Sequence, residues 1–295
     1  MIPADGLLLL AKPPGITSFA ALNAVKKKLG TKKVGHTGTL DRFAEGLLVA
    51  LSGRYTRLAP FISGMDKRYS CVFEFGTQTA TLDPEGEVVK KAPLPQEGFL
   101  REAVGRFTGP LMQRPPDFSA VHVGGKRAYQ MALRGEDPGL KERPVTVYSF
   151  DVQSWLPPFL SCEIHCSKGA YIRALARDLA EAVSSCAHVK ALRRTQVGPF
   201  CLADAVSPQD FDPESSPKRG RDFLEGLIPG KPLILKARHA GDLRAGKPPR
   251  DLFFEDPRPE GACPEGDRPV FTESGELAAV VSQSETGYAY RFVCL

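Results

Sequence analysis

Residues 34–46 read V-G-H-T-G-T-L-D-R-F-A-E-G, Val34 to Gly46, and the reading of the whole chain turns on them. Glycines at 35, 38 and 46 strip side chains from one short loop, which lets its backbone approach a ligand closely. Within the loop sit His36, Thr37, Thr39 and Asp41, with Leu40 and Phe43 on either side of the carboxylate. A loop aspartate is ordinarily a turn former or a helix N-cap. Spacing alone does not make Asp41 a nucleophile.

Upstream, Leu7 to Ala11 reads as a short buried strand stopped by Pro13, Pro14 and Gly15. Thr17 or Ser18 can N-cap a helix with Phe19, Leu22, Val25 and Leu29 on its apolar side, and Gly30 ends it. Lys26, Lys27, Lys28, Lys32 and Lys33 crowd its far end, awaiting a counter-charge or simply favouring a helix C-terminus.

Downstream, residues 67–76 alternate as a strand carrying Tyr69, Phe73 and Phe75. Phe99, Leu100, Ala103, Val104 and Phe107 have helical spacing. Residues 113–144 are rich in Arg, Lys, Gly and Pro, and are expected to form a long mobile excursion. Strands follow at about 145–153 and 159–167. A helix then carries Tyr171, Arg173, Leu175 and Leu179, and a last strand is expected near 195–200. The Pro- and Ser-rich stretch that follows places a linker at 211–227. Short β-like runs from Leu233 onward predict a small β-rich domain over 228–295.

The chain has 295 residues, 39 Lys+Arg against 34 Asp+Glu, and a net charge of +5. Residues 1–200 hold 27 of those cations and 18 of the anions, so the first two-thirds is the part suited to a polyanion. Apolar runs of about five residues fall far short of the roughly 18 that span a bilayer. With no basic segment leading into a signal-length apolar stretch, a cytoplasmic protein is expected. The seven scattered cysteines fit reduced thiols. Cys162, His165 and Cys166 lie on an alternating strand that splits them between faces, so no metal site is expected. Gly241 to Lys247 has the spacing of a phosphate-binding loop, but Pro248 stands where a hydroxyl is needed.

A resemblance ties these pieces together. G-H-T-G-T-L-D-R-F-A-E-G-L-L (35–48) resembles the catalytic motif of the TruB family of tRNA pseudouridine synthases. Five further segments are similar to that family in order and spacing: 6–18, D-K-R-Y (66–69), 118–129, 165–179 and A-H-V-K-A-L-R-R-T (187–195). The resemblance covers 1–210 well and the remainder weakly. It implies an α+β fold: a mixed, mainly antiparallel sheet with flanking helices and a central cleft, plus a small PUA-like β domain. It also implies isomerisation of uridine to pseudouridine in the T loop of tRNA, at position 55, with no cofactor and no metal. The expected partner is the T arm of tRNA, met by a monomer with no obligatory protein partner.

By the same resemblance Asp41 is the nucleophile, Tyr69 stacks on the uracil and Arg173 forms the ion pair with Asp41. Tyr171 and Leu192 wall the base pocket, and His36 fills the space left by a flipped base. Lys12 and Arg42 are placed with the substrate-binding residues, Lys12 as a support for the Asp41 loop. Arg42 stands where the family commonly has proline, so it contacts phosphate or perturbs Asp41. Lys26, Lys32, Lys33, Lys126, Arg127, Arg143 and Arg193 are the expected RNA contacts, with 113–144 a flap that closes on the T arm. The alternative is a catalytically silent RNA-binding or RNA-folding protein with the same cleft. The catalytic subunit of a guide-RNA-dependent enzyme is a second, and the lack of long Lys-rich tails favours a stand-alone enzyme.

Overall fold

The computed structural model describes residues 5–255, 266–284 and 287–295. Cys263 and part of the expected 228–295 domain lie outside them. In chain order the elements begin with β1 (Gly6–Lys12), α1 (Ser18–Leu29), β2 (Val34–His36), β3 (Glu45–Ser52), α2 (Ala59–Ser63) and β4 (Lys67–Phe75). Next come β5 (Thr77–Thr79), β6 (Val88–Lys91), α3 (Glu97–Gly105), β7 (Gly109–Gln113), β8 (His122–Val123), β9 (Lys126–Arg127) and α4 (Ala128–Ala132). β10 (Arg143–Leu156), β11 (Phe159–Cys166), α5 (Ile172–Ala182), β12 (Ala187–Val197) and β13 (Phe200–Cys201) complete the large sheet and its cover. The chain closes with α6 (Arg221–Glu225), β14 (Leu233–Leu235), α7 (Ala240–Arg244), β15 (Gly266–Thr272), β16 (Leu277–Ser284) and β17 (Gly287–Val293).

The main sheet runs β1-β3-β12-β4-β11-β10-β7, with β2 added to β3 and β13 to β12. Every pairing in it is antiparallel except β12 with β3, where Arg193 and Arg194 face Glu45 and Gly46. A second sheet, β14-β15-β16-β17, forms the C-terminal β unit. The fold is thus α+β with a mixed, mainly antiparallel sheet.

Local chemistry sets the elements. The Thr17 hydroxyl accepts a hydrogen bond from the Ala20 amide at 3.0 Å and caps α1. Gly30, at φ +63°, ends that helix in the left-handed conformation that glycine tolerates. β4 alternates as its sequence says, with Tyr69, Cys71, Phe73 and Phe75 buried against α3 and α5. β1 and β3 are buried on both faces. Leu8, Leu10, Leu48 and Ala50 meet α1 on one side. Leu7, Leu9, Leu47, Val49 and Leu51 meet a second apolar cluster on the other.

Three expectations change. The last strand of the large sheet starts at Ala187 rather than near 195, because main-chain pairing with β4 holds it from Ala187 opposite Phe75. The 113–144 excursion carries the β8–β9 hairpin and α4. The 211–227 stretch is no loose linker: Phe211, Leu224 and Leu227 are buried, and Lys218 exchanges backbone hydrogen bonds with Leu7 at 2.8 and 3.0 Å. Polar composition hid three well-placed apolar anchors.

Candidate active site

The loop between β2 and β3 carries Asp41, and four buried side chains fix it. The Ser18 hydroxyl binds both polar groups of Leu40, accepting from its amide at 2.8 Å and donating to its carbonyl at 2.9 Å. Lys12, 1% exposed, donates to the carbonyls of Ile16 (2.8 Å), Pro13 (3.0 Å) and Arg42 (3.3 Å). Burial pushes its ammonium down to about 8. The Thr37 hydroxyl donates to the Val49 carbonyl at 3.1 Å. Arg194, 2% exposed, donates to the carbonyls of Leu47 (2.8 Å), Gly38 (3.0 Å) and Thr39 (3.4 Å). Gly46 is required here: at φ +107° a Cβ would collide with the backbone of Arg194.

Asp41 meets Arg173 from the first turn of α5. The guanidinium presents two nitrogens: Nη2 donates to Oδ1 at 3.1 Å, and Nε lies 2.9 Å from Oδ2, off the hydrogen-bond axis but within ion-pair range. Arg173 is buried while the Asp41 side chain remains a third exposed, so the cation is fixed and the carboxylate looks outward. The same guanidinium donates to the Thr81 carbonyl at 2.7 Å and the Phe118 carbonyl at 3.1 Å. Nη1 also lies 3.6 Å from the buried carboxylate of Asp83. Asp83 in turn accepts from the Thr81 hydroxyl (2.5 Å) and the Glu85 amide (3.0 Å). One arginine therefore serves two carboxylates and joins three separate segments.

Asp41 and Arg173 lie on the wall of a cavity of about 620 Å³ that also takes in Tyr69, Tyr171, Leu192, Lys67, Arg127, Tyr129 and Arg143. Tyr69 is buried, which pushes its hydroxyl up, opposed by the neighbouring Arg194. Tyr171 is held by Gln113, whose amide accepts from its N–H (2.8 Å) and donates to its carbonyl (3.2 Å). The Arg143 guanidinium stacks 5.0 Å from the Tyr171 ring centre and donates to the Gly169 carbonyl at 2.8 Å.

The structure brings Asp41, Tyr69, Arg173, Tyr171 and Leu192 to one cavity, with Arg127 and Arg143 beside them. It does not bring Lys12, His36 or Arg42 to that wall. Lys12 is consumed inside the protein as the support of the loop. The His36 ring has its Nδ1 buried without a hydrogen bond, and burial pushes its pKa down. Arg42 lies outside, donating to the Gly15 carbonyl at 3.0 Å and 3.6 Å from Glu85. Among the other cations, Lys32, Lys33 and Lys126 are exposed, Lys26 sits 4.1 Å over the Phe19 ring, and Arg193 faces Glu45 at 3.6 Å. Asp83, Ser18 and Gln113 escaped the sequence reading. Ser18 was visible only as an alternative cap.

The arrangement defines a class before any comparison: a carboxylate held by a buried arginine, an aromatic wall and a rim of cations suit an enzyme acting on a nucleotide of a polyanion. The fold is that of pseudouridine synthases. A solved structure of the archaeal box H/ACA sRNP Nop10–Cbf5 complex superposes with a TM-score of 0.68 at 18% identity, over 98% of this chain and 85% of that one. The chain belongs to the TruB family: a TruB family pseudouridylate synthase N-terminal domain matches residues 26–172, and a tRNA pseudouridylate synthase B C-terminal domain matches 173–220. The tRNA pseudouridine synthase B of Treponema denticola is 47% identical over 262 residues, 82% of this chain and 70% of its own. That of Arthrobacter sp. strain FB24 is 37% identical over 301 residues, 97% and 94%.

Proposed function

We propose that this chain isomerises uridine to pseudouridine in tRNA, at position 55 of the T loop. The observation that carries the reading is the Asp41–Arg173 pair on the cavity wall beside Tyr69. The base must leave its stack to reach the cavity, at a cost of a few kcal/mol. Asp41 acts as nucleophile toward C1′ as the bond to N1 breaks. The uracil turns against the Tyr69 and Tyr171 rings, C5 joins C1′, C5 loses its proton and N1 gains one. Nothing is gained or lost overall. Arg173 fixes the direction of the carboxylate, and Asp83 and Thr81 fix Arg173.

Lys126, Arg127 and the rest of 113–144 contact the T arm, and Lys26, Lys32, Lys33 and Arg193 extend the basic surface beside it. We assign catalysis to 1–210, the connection to 211–227 and an accessory RNA contact to the β unit in 228–295. The enzyme acts as a monomer in the cytoplasm. Among the described residues no helix is long and apolar enough to cross a membrane. The deciding test is Asp41→Asn with an unmodified tRNA transcript. Binding should persist and pseudouridine should vanish; retained turnover removes Asp41 from its role.

A further inference from the structure

Arg173 is not the cavity's only buried cation. Beside Gly38 stand the buried Arg194 and the half-buried Lys67: a Cβ built on Gly38 would lie 3.6 Å from the Arg194 Nη1 and 4.0 Å from the Lys67 Cε. Both line the cavity with Tyr69 and Leu192. Neither makes an ion pair among the described residues. Arg194 donates to the carbonyls of Leu47, Gly38 and Thr39, and Lys67 to those of Ser63 (3.1 Å) and Met65. A cation withdrawn from water with only neutral acceptors is costly. Here a buried and a half-buried cation stand side by side, while the charge of Arg173 is already matched by Asp41 and Asp83. The balance points to a ligand that brings negative charge to this side of the cavity.

Tyr69 sits among these cations, its hydroxyl facing Arg194, so the excess positive charge lies at the wall assigned to the base. We propose that Lys67 and Arg194 stabilise the negative charge that the uracil ring acquires when its bond to C1′ breaks, a reading that rests on the function proposed above. As that bond breaks its electron pair passes to the ring and spreads over N1, O2 and O4, while the Asp41 oxygen closes on C1′. When C5 later bonds to C1′ the Asp41 bond breaks, C5 gives up its proton and N1 takes one. The charge of the two cations acts on the ring only between these events, which is when fixed charge lowers a barrier.

The groups facing Lys67 are Arg194 from β12, Cys166 from β11, Asp66 beside it and Lys168 from the next turn. Burial, with Arg194 adding to it, pushes the Lys67 ammonium down to about 8. Below that pH the lysine is charged, and above it the charge is lost.

The test uses the full chain, unmodified tRNA transcript and single-turnover conversion. Lys67→Gln is expected to slow conversion about 100-fold with tRNA affinity nearly unchanged. The unsubstituted enzyme should lose rate as pH rises through about 8, and Lys67→Arg should weaken that fall because guanidinium stays charged, leaving only the part that Lys12 contributes at about the same pH. A Lys67→Gln variant that loses affinity but not rate would place the charge on a backbone phosphate and overturn the proposal. So would a variant matching the parent in both. If Lys67→Gln does not fold, the pH profile of Lys67→Arg decides: a fall near 8 as steep as the parent's overturns the proposal. Pseudouridine from the parent enzyme is the control, since its absence would sink the proposed function rather than this inference.

Discussion

Ser18 is a small residue with a large consequence. Its hydroxyl satisfies both polar groups of Leu40, immediately before Asp41, inside a buried setting. Ser18→Ala leaves a donor and an acceptor unpaired, at about 1–3 kcal/mol for each group. A thermal melt should show the loss, and turnover should fall with it because the carboxylate is no longer aimed. Gly46→Ala forces a left-handed residue against the Arg194 backbone. We predict a loss of about 3 kcal/mol or more, read as a lower melting temperature. Arg173→Lys keeps the charge but not the fork that holds Asp41, Thr81 and Phe118 together. Conversion should fall about 100-fold while the fold persists; near-normal turnover would unseat the ion pair from the mechanism.

At the scale of elements, the cavity owes one wall to the region expected to be a mobile flap. Arg127 ends β9 and Tyr129 lies in α4, and both line the cavity. Replacing both with alanine should weaken tRNA binding and lower the salt slope by about one, with the melting temperature held. Salt titration of binding checks this. The Asp41 loop, the β4 alternation and the α1 caps were legible because their signals are local: glycines, a period of two, a hydroxyl three residues ahead of an amide. Asp83 was not, because its meaning comes from Arg173, ninety residues on. Arg194 gave no such signal, because β12 buries it between β3 and β4 only once the sheet has assembled. The 211–227 stretch misled because composition averages over residues, whereas Phe211, Leu224 and Leu227 act one at a time.

The whole molecule shares a core across its two sheets. Leu7, Leu9 and Leu47 of the large sheet pack in one cluster with Leu224, Leu227 and Ile228, and with Phe271, Leu277 and Val280 of the small one. Removing 228–295 therefore strips the cover from β1 and β3, the strand pair that frames the Asp41 loop. We predict that the truncated chain melts well below the full one or precipitates, so truncation reports stability before it reports RNA contact. Point changes on the exposed face of the β unit, assayed by tRNA binding, separate the two effects.

The parallel pairing of β12 with β3 has a bearing on how the protein is made. Glu45 and Gly46 emerge from the ribosome long before Arg193 and Arg194, and Asp41 long before Arg173. Contacts so distant in sequence are slow to close and form late. A nascent chain that has not yet released Arg173 has the carboxylate but neither its arginine fork nor its loop anchor. Competence to modify RNA should therefore switch on late in synthesis. Ribosome-stalled chains ending before Val197 should bind no T-arm RNA productively, whereas those that have released β12 together with the segments that cover β1 and β3 should convert it.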